Sequence, residues 1–210
     1  MEAGEKRSSG EGEPLDPAGE MDLEVRNPGA GIPVGAGLLF YLAVGGAGLA
    51  LPLVFGRWEK ALALVRGQGP LFFQAGAGAG LGLVLVALSR LLAAKVKAMK
   101  ELEEVLASLV GRLGFFRILV LALVSGPAEE MLFRCALMDL VGPVWSTLAF
   151  ALCHTGPGKK FRAWTLMAGV VGALFAWMVL DGWGLAAVAA AHSTLNFLNL
   201  LYLSGRGKSP

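Results

Sequence analysis

Ser125-Gly126-Pro127-Ala128-Glu129-Glu130-Met131-Leu132-Phe133-Arg134 sets two adjacent carboxylates and a guanidinium inside an otherwise apolar stretch. On insertion scales a charged side chain at the bilayer centre is penalised by about 2.5–3.5 kcal/mol, so such groups face a bundle interior or a watery cavity. This clustering of three ionisable groups is read as a functional site.

The surrounding sequence supports the membrane setting. The 210-residue chain is 55% hydrophobic and only 16% charged, with a mean hydropathy of +0.63, too apolar for a soluble domain of this length. The expected fold class is all-α: a polytopic transmembrane helix bundle of about six spans plus an interfacial amphipathic helix. Spans are read at 34–55, 70–92, 115–139, 143–155, 163–180 and 185–203, since about 20 apolar residues cross a hydrocarbon core of roughly 30 Å. Pro127 is expected to kink or restart the third span just before the glutamates.

Between spans, 56–69 carries Arg57, Glu59, Lys60 and Arg66 and reads as a loop or short interfacial helix. Residues 93–113 interleave Lys95, Lys97, Lys100, Glu101, Glu103, Glu104 and Arg112 with Val96, Met99, Leu102, Val105, Leu106 and Leu109, the pattern of a helix lying at the membrane surface. The alternating glycines Gly76, Gly78, Gly80 and Gly82 resemble a phosphate loop in composition. In an apolar helix, i and i+4 glycines instead make a smooth face for close packing. The chain divides into a polar, disordered tail (1–33), two spans with the amphipathic segment (34–114), a membrane core (115–203) and a short C-terminal tail (204–210).

Other classes fall away on composition. The formal net charge is +2 and the basic residues are scattered, so nucleic acid is not an expected partner. Cys135 and Cys153 lie in apolar segments and read as packing residues rather than a disulfide. The polar start precedes the first apolar run by too many residues for a signal peptide. With six spans, one side receives the N-terminus, 93–113, the Lys159 loop and the C-terminus, with 13 Lys and Arg once Arg90 is counted with it, against Arg57, Lys60 and Arg66 opposite. The positive-inside rule then makes both termini cytoplasmic, in a cytoplasmic (inner) membrane.

Both histidines of the chain, His154 and His192, also lie in apolar spans, as does Asn196. Glu129 and His154 are each about 12 residues, roughly 18 Å, from the turn at Val141 and Gly142. His192 and Asn196 lie about 8 and 12 residues, roughly 12 and 18 Å, past the tight turn at Asp181 to Gly184. All four therefore fall in one layer. Glu130 and Arg134 are i and i+4 and share a helix face, whereas Glu129 is rotated about 100° away, so the two glutamates are expected to do different jobs. A carboxylate beside an imidazole is what deprotonation of a water requires, and further polar side chains can hold the oxyanion formed when that water attacks a carbonyl.

Glu129-Glu130-x-x-x-Arg134, Phe150-x-x-x-His154 and His192-x-x-x-Asn196, in that order and each in an apolar segment, resemble the CPBP (Abi, or CAAX protease and bacteriocin-processing) family of intramembrane proteases. Type II CAAX prenyl endopeptidases belong to that family. The resemblance covers about 115–203 and includes Ser146, Gly169 and Gly172. It implies peptide-bond hydrolysis in or at the edge of the membrane, on a membrane-anchored protein or peptide: a prenylated CAAX-like tail, a leader peptide or a C-terminal sorting segment. Glu129 and His154 would activate water, His192 and Asn196 would form the oxyanion hole, and Glu130, Arg134 and Phe150 would support them. Zinc held by Glu129, His154 and His192 is the other mechanism the family descriptions allow. Metal-free chemistry is favoured, because a carboxylate and a histidine suffice and no HExxH occurs. One departure is Cys135, where the family commonly has glycine. The alternative function is a non-catalytic membrane protein of the same fold, an immunity or scaffold protein. A zinc site-2 protease, a presenilin-type aspartyl protease and a rhomboid-type serine protease each lack their motif here, and a transporter lacks a visible inverted repeat.

Overall fold

The computed structural model describes residues 33–207, and these are helical with short connections. The reading of a disordered tail over 1–33 lies outside the described residues except for Pro33. In chain order the elements are α1 (Val34–Val54), α2 (Trp58–Arg66), α3 (Leu71–Lys95), α4 (Lys97–Val110) and α5 (Phe115–Glu130). A π-helical segment (Met131–Leu137) follows and runs into α6 (Met138–Val141). After it come α7 (Pro143–Cys153), a 3-10 turn (Lys159–Phe161), α8 (Arg162–Leu180) and α9 (Leu185–Arg206).

Helices α1, α3 and α9, together with Lys159–Leu180, are each long and apolar enough to cross a membrane, which makes this an integral membrane protein. Phe115–Val141 adds a fifth if it is taken with α4, from which it is bent by 112°. The six-span reading is therefore high by one or two. The short fourth span is the reason: α7 has 11 residues, which at 1.5 Å each reach roughly 16 Å, about half of the hydrocarbon core.

Two further expectations are corrected. Pro127 lies within α5 without ending it, and the departure from α-helical geometry comes after the glutamates, in the π-helical turn that carries Arg134. The residues read as the start of a C-terminal tail belong to α9, where Ser204 is buried and its hydroxyl accepts a hydrogen bond from Leu113 N at 2.6 Å.

Glycine-lined contacts set the helix positions. A Cβ on Gly78 would overlap the Ala187 carbonyl, and one on Gly82 would lie 2.7 Å from Ala191 O, so α3 and α9 pack backbone to backbone. Gly76 and Gly80 face open space, as the i, i+4 reading requires. One turn before Gly78, the fully buried Gln74 fixes the register. Its Nε2 donates to Arg66 O, Gln68 O and Gly69 O at 2.9–3.1 Å, and its Oε1 accepts from Gly184 N at 3.0 Å, satisfying an otherwise unpaired N–H at the start of α9.

These contacts also sort the connections by side. The start of α5, the ends of α3 and α9, and α4 meet through Arg90, Glu103, Asn199 and Ser204. At the other side Arg57 and Lys60 pair with Asp139, and Gln68 N donates to Gly182 O. Helix α1 runs parallel to α5, since Gly37 faces Leu121, Gly45 faces Ala128 and Gly48 faces Met131 and Leu132.

Candidate active site

The acidic pair is the hub of the bundle. Glu129 and Glu130 end α5, and their side chains diverge as helical rotation requires. Glu129 Oε2 lies 3.5 Å from His154 Nε2, where α7 ends. Glu130 Oε1 lies 2.7 Å from His192 Nδ1 on α9, and its Oε2 lies 3.2 Å from Arg134 Nε. Three elements distant in sequence thus meet in one layer.

The Glu130 corner is closed. Glu130 and Arg134 are both fully buried, and the guanidinium lies 4.7 Å over the Phe150 ring. Two glycines make the corner possible. A Cβ on Gly126 would come within 2.8 Å of Ser193 N, so glycine lets α5 close on α9 one turn from the Glu130–His192 contact. A Cβ on Gly172 would come within 2.9 Å of Phe150 Cδ1 and 3.3 Å of Arg134 Nη2. Ser146, fully buried, donates to Phe133 O and locks α7 to the π-helical turn.

The Glu129 corner is more open. The His154 side chain is 17% exposed, and Glu129 Oε2 makes no hydrogen bond. His154 Nδ1 lies 2.8 Å from Phe150 O, and because a carbonyl only accepts, Nδ1 carries the proton. The ring is further held by Phe150 at 4.4 Å and Trp164 at 5.4 Å between centroids. In the neutral imidazole Nε2 is then an acceptor that faces an acceptor oxygen of Glu129. A water bridging the two from the open side would find an acceptor at each.

Asn196 is tied to the same layer indirectly. Its Nδ2 donates to Ser125 Oγ at 2.9 Å, one turn before Glu129, which leaves one amide N–H for another acceptor. Cys135 is buried in the π-helical turn, whereas Cys153 is exposed, so the packing reading holds only for the first.

Sequence reasoning missed two residues here. Ser125, at the head of the acidic stretch, anchors Asn196. Tyr41 of α1 comes close to the Glu129 carboxylate. Its signal is legible in retrospect: Gly37, Tyr41, Gly45 and Gly48 share one face of α1, and Tyr41 is the only large side chain among them.

The zinc reading asks Glu129, His154 and His192 to converge on one point. Among the described residues no three His, Cys, Asp or Glu side chains group so as to hold a metal ion. His192 and His154 hold Nδ1 on Glu130 and on Phe150 O, which leaves the Nε2 of each for the site.

Residues 111–198 match the family model described as Rce1-like, "Type II CAAX prenyl endopeptidase Rce1-like". The matched segment contains all three motifs, from Glu129 to Asn196, and bears out the resemblance read from them. No curated protein and no solved structure matches the chain.

Proposed function

We propose, from the premise that residues 111–198 are those of a type II CAAX prenyl endopeptidase-like segment, that the protein is an intramembrane endopeptidase acting through a water activated by Glu129 and His154. The observation that carries this reading is the 3.5 Å approach of Glu129 Oε2 to His154 Nε2, with the histidine tautomer set by Phe150 O.

The chemistry follows from the proton inventory. The two acceptors orient a water, and the Glu129 carboxylate takes a proton as the oxygen attacks the scissile carbonyl. The tetrahedral oxyanion needs N–H donors, which His192 Nε2 and the free Asn196 N–H supply. An oxyanion only accepts, so His192 in this role presents Nε2–H to it and carries both ring protons, with Nδ1–H on Glu130. Collapse of the intermediate breaks the C–N bond, and the proton on Glu129 passes to the leaving amine. The reaction is metal-free. Glu130, Arg134 and Phe150 hold the two histidines apart and in register.

The substrate is a membrane-tethered segment, of which a prenylated CAAX-like tail follows from the wording of the matched family. The side that carries α4, the Lys159 turn, the start of α1 and the end of α9 is the lysine- and arginine-rich one, which makes both termini cytoplasmic by the positive-inside rule.

The test uses membranes containing the wild type or Glu129→Ala with a farnesylated peptide ending in a CAAX box, read by mass. Wild-type membranes release the terminal tripeptide and the variant does not. Cleavage that persists in Glu129→Ala removes the mechanism. A chelator arm leaves the rate unchanged, whereas loss restored by zinc replaces this mechanism with a metal-dependent one.

A further inference from the structure

We infer that Tyr41, on the N-terminal helix outside the matched segment, is a positioning residue for Glu129; this inference rests on the protease reading above. Three observations converge on it. Helix α1 lies parallel to α5 with its backbone pressed against that helix: a Cβ on Gly45 would stand 3.4 Å from Ala128 Cβ, and one on Gly48 would stand 2.7 Å from Leu132 N. That contact holds α1 in rotation as well as distance, because larger residues at either position would push the helices apart.

Interpolating between Gly37 opposite Leu121 and Gly45 opposite Ala128 sets Tyr41 level with the turn around Ser125. Side chains on both parallel helices tilt toward their N-termini, so the tilt keeps their offset, and the face shared with Gly37 and Gly45 turns Tyr41 toward α5. The Tyr41 hydroxyl comes close enough to the Glu129 carboxylate to act on it. The charged and titratable groups around Glu129 are then Tyr41 from α1, His154 from the end of α7, His192 from α9, and Glu130 and Arg134 from its own chain segment.

The hydroxyl matters because of what it leaves free. A carboxylate on a helix end rotates about three side-chain torsions, and only one rotamer aims Oε2 at His154 Nε2. A donor on the opposite flank pins that rotamer and spends none of the His154 side, where Oε2 makes no hydrogen bond. Tyr41 touches Glu129 and not the reacting atoms, so it acts through the general base. The first helix thereby contributes a group to the site as well as shielding it.

The test pairs two readouts on Tyr41→Phe, which keeps the ring and removes the hydroxyl. In full-length protein with the farnesylated CAAX peptide, kcat falls about tenfold, the loss expected for a hydrogen bond to a charged group, while KM is unchanged. In isotope-edited infrared spectra of protein carrying carboxyl-labelled glutamate, the band assigned to Glu129 by its loss in Glu129→Gln shifts in Tyr41→Phe. A wild-type kcat with an unmoved band overturns the inference. A raised KM at unchanged kcat also overturns it, because it makes Tyr41 a substrate contact. Should the wild type cleave nothing, the protease reading fails by itself, and the infrared arm still decides whether Tyr41 orients Glu129.

Discussion

Two carboxylates one residue apart occupy opposite kinds of environment. Glu130 is fully buried between Arg134 and His192, with Phe150 roofing the guanidinium. Glu129 reaches a partly exposed histidine that holds its other nitrogen on a backbone carbonyl. The difference teaches that an acidic pair in a membrane protein is not one feature. A buried carboxylate held by a guanidinium and an imidazole together is fixed by the bundle and helps to fix it. One whose ion-pair partner is a single, partly exposed imidazole is equipped for proton transfer.

The largest effect that sharpens this contrast is on the open side. Glu129→Gln is nearly isosteric and removes the base, so the cleavage rate falls by about 100- to 10,000-fold while the melting temperature in detergent stays near that of the wild type. A variant that unfolds instead would place Glu129 among the structural charges and erase the distinction.

Arg134→Leu acts on the closed side. It leaves Glu130 buried beside His192 without its guanidinium, and breaking such a pair costs about 3–5 kcal/mol. Thermal unfolding followed by tryptophan fluorescence reads this loss directly. Retained stability would mean that water, rather than Arg134, satisfies Glu130.

Asn196→Ala removes a proposed oxyanion donor and lowers kcat by about 100- to 1,000-fold, with little change in KM. If KM alone rises, Asn196 belongs to substrate binding and the layer has no second oxyanion group.

Ser125→Ala is the mildest perturbation. It frees the Asn196 amide from its anchor, a neutral hydrogen bond of about 1 kcal/mol, and its kcat falls by less than that of Asn196→Ala. A loss as large as that of Asn196→Ala would show that the serine itself meets the substrate.

Much of this site was legible along the chain, and the reason is local geometry. Glu130 with Arg134, Phe150 with His154 and His192 with Asn196 are each four residues apart, and helical periodicity alone puts each pair on one face. Counting rise from the turns set the four polar residues at one depth, and the 3.5 Å and 2.7 Å contacts are consistent with it. Ser125 and Tyr41 escaped because their partners lie 71 and 88 positions away, beyond the reach of any helical period. The reading of 143–155 as a span met a helix of 11 residues, because hydropathy reports polarity and a short apolar run fits a half-crossing helix as well as a span.

The amino-acid sequence by itself determined an all-helical membrane bundle with a polar layer, because apolar length and helical period are properties of neighbouring residues. Only the tertiary structure decided which glutamate meets which histidine and that the first helix joins them. Those pairings depend on how helices rotate and approach, and that is set where Gly126 meets Ser193 and Gly45 meets Ala128. No period within a single helix encodes such contacts.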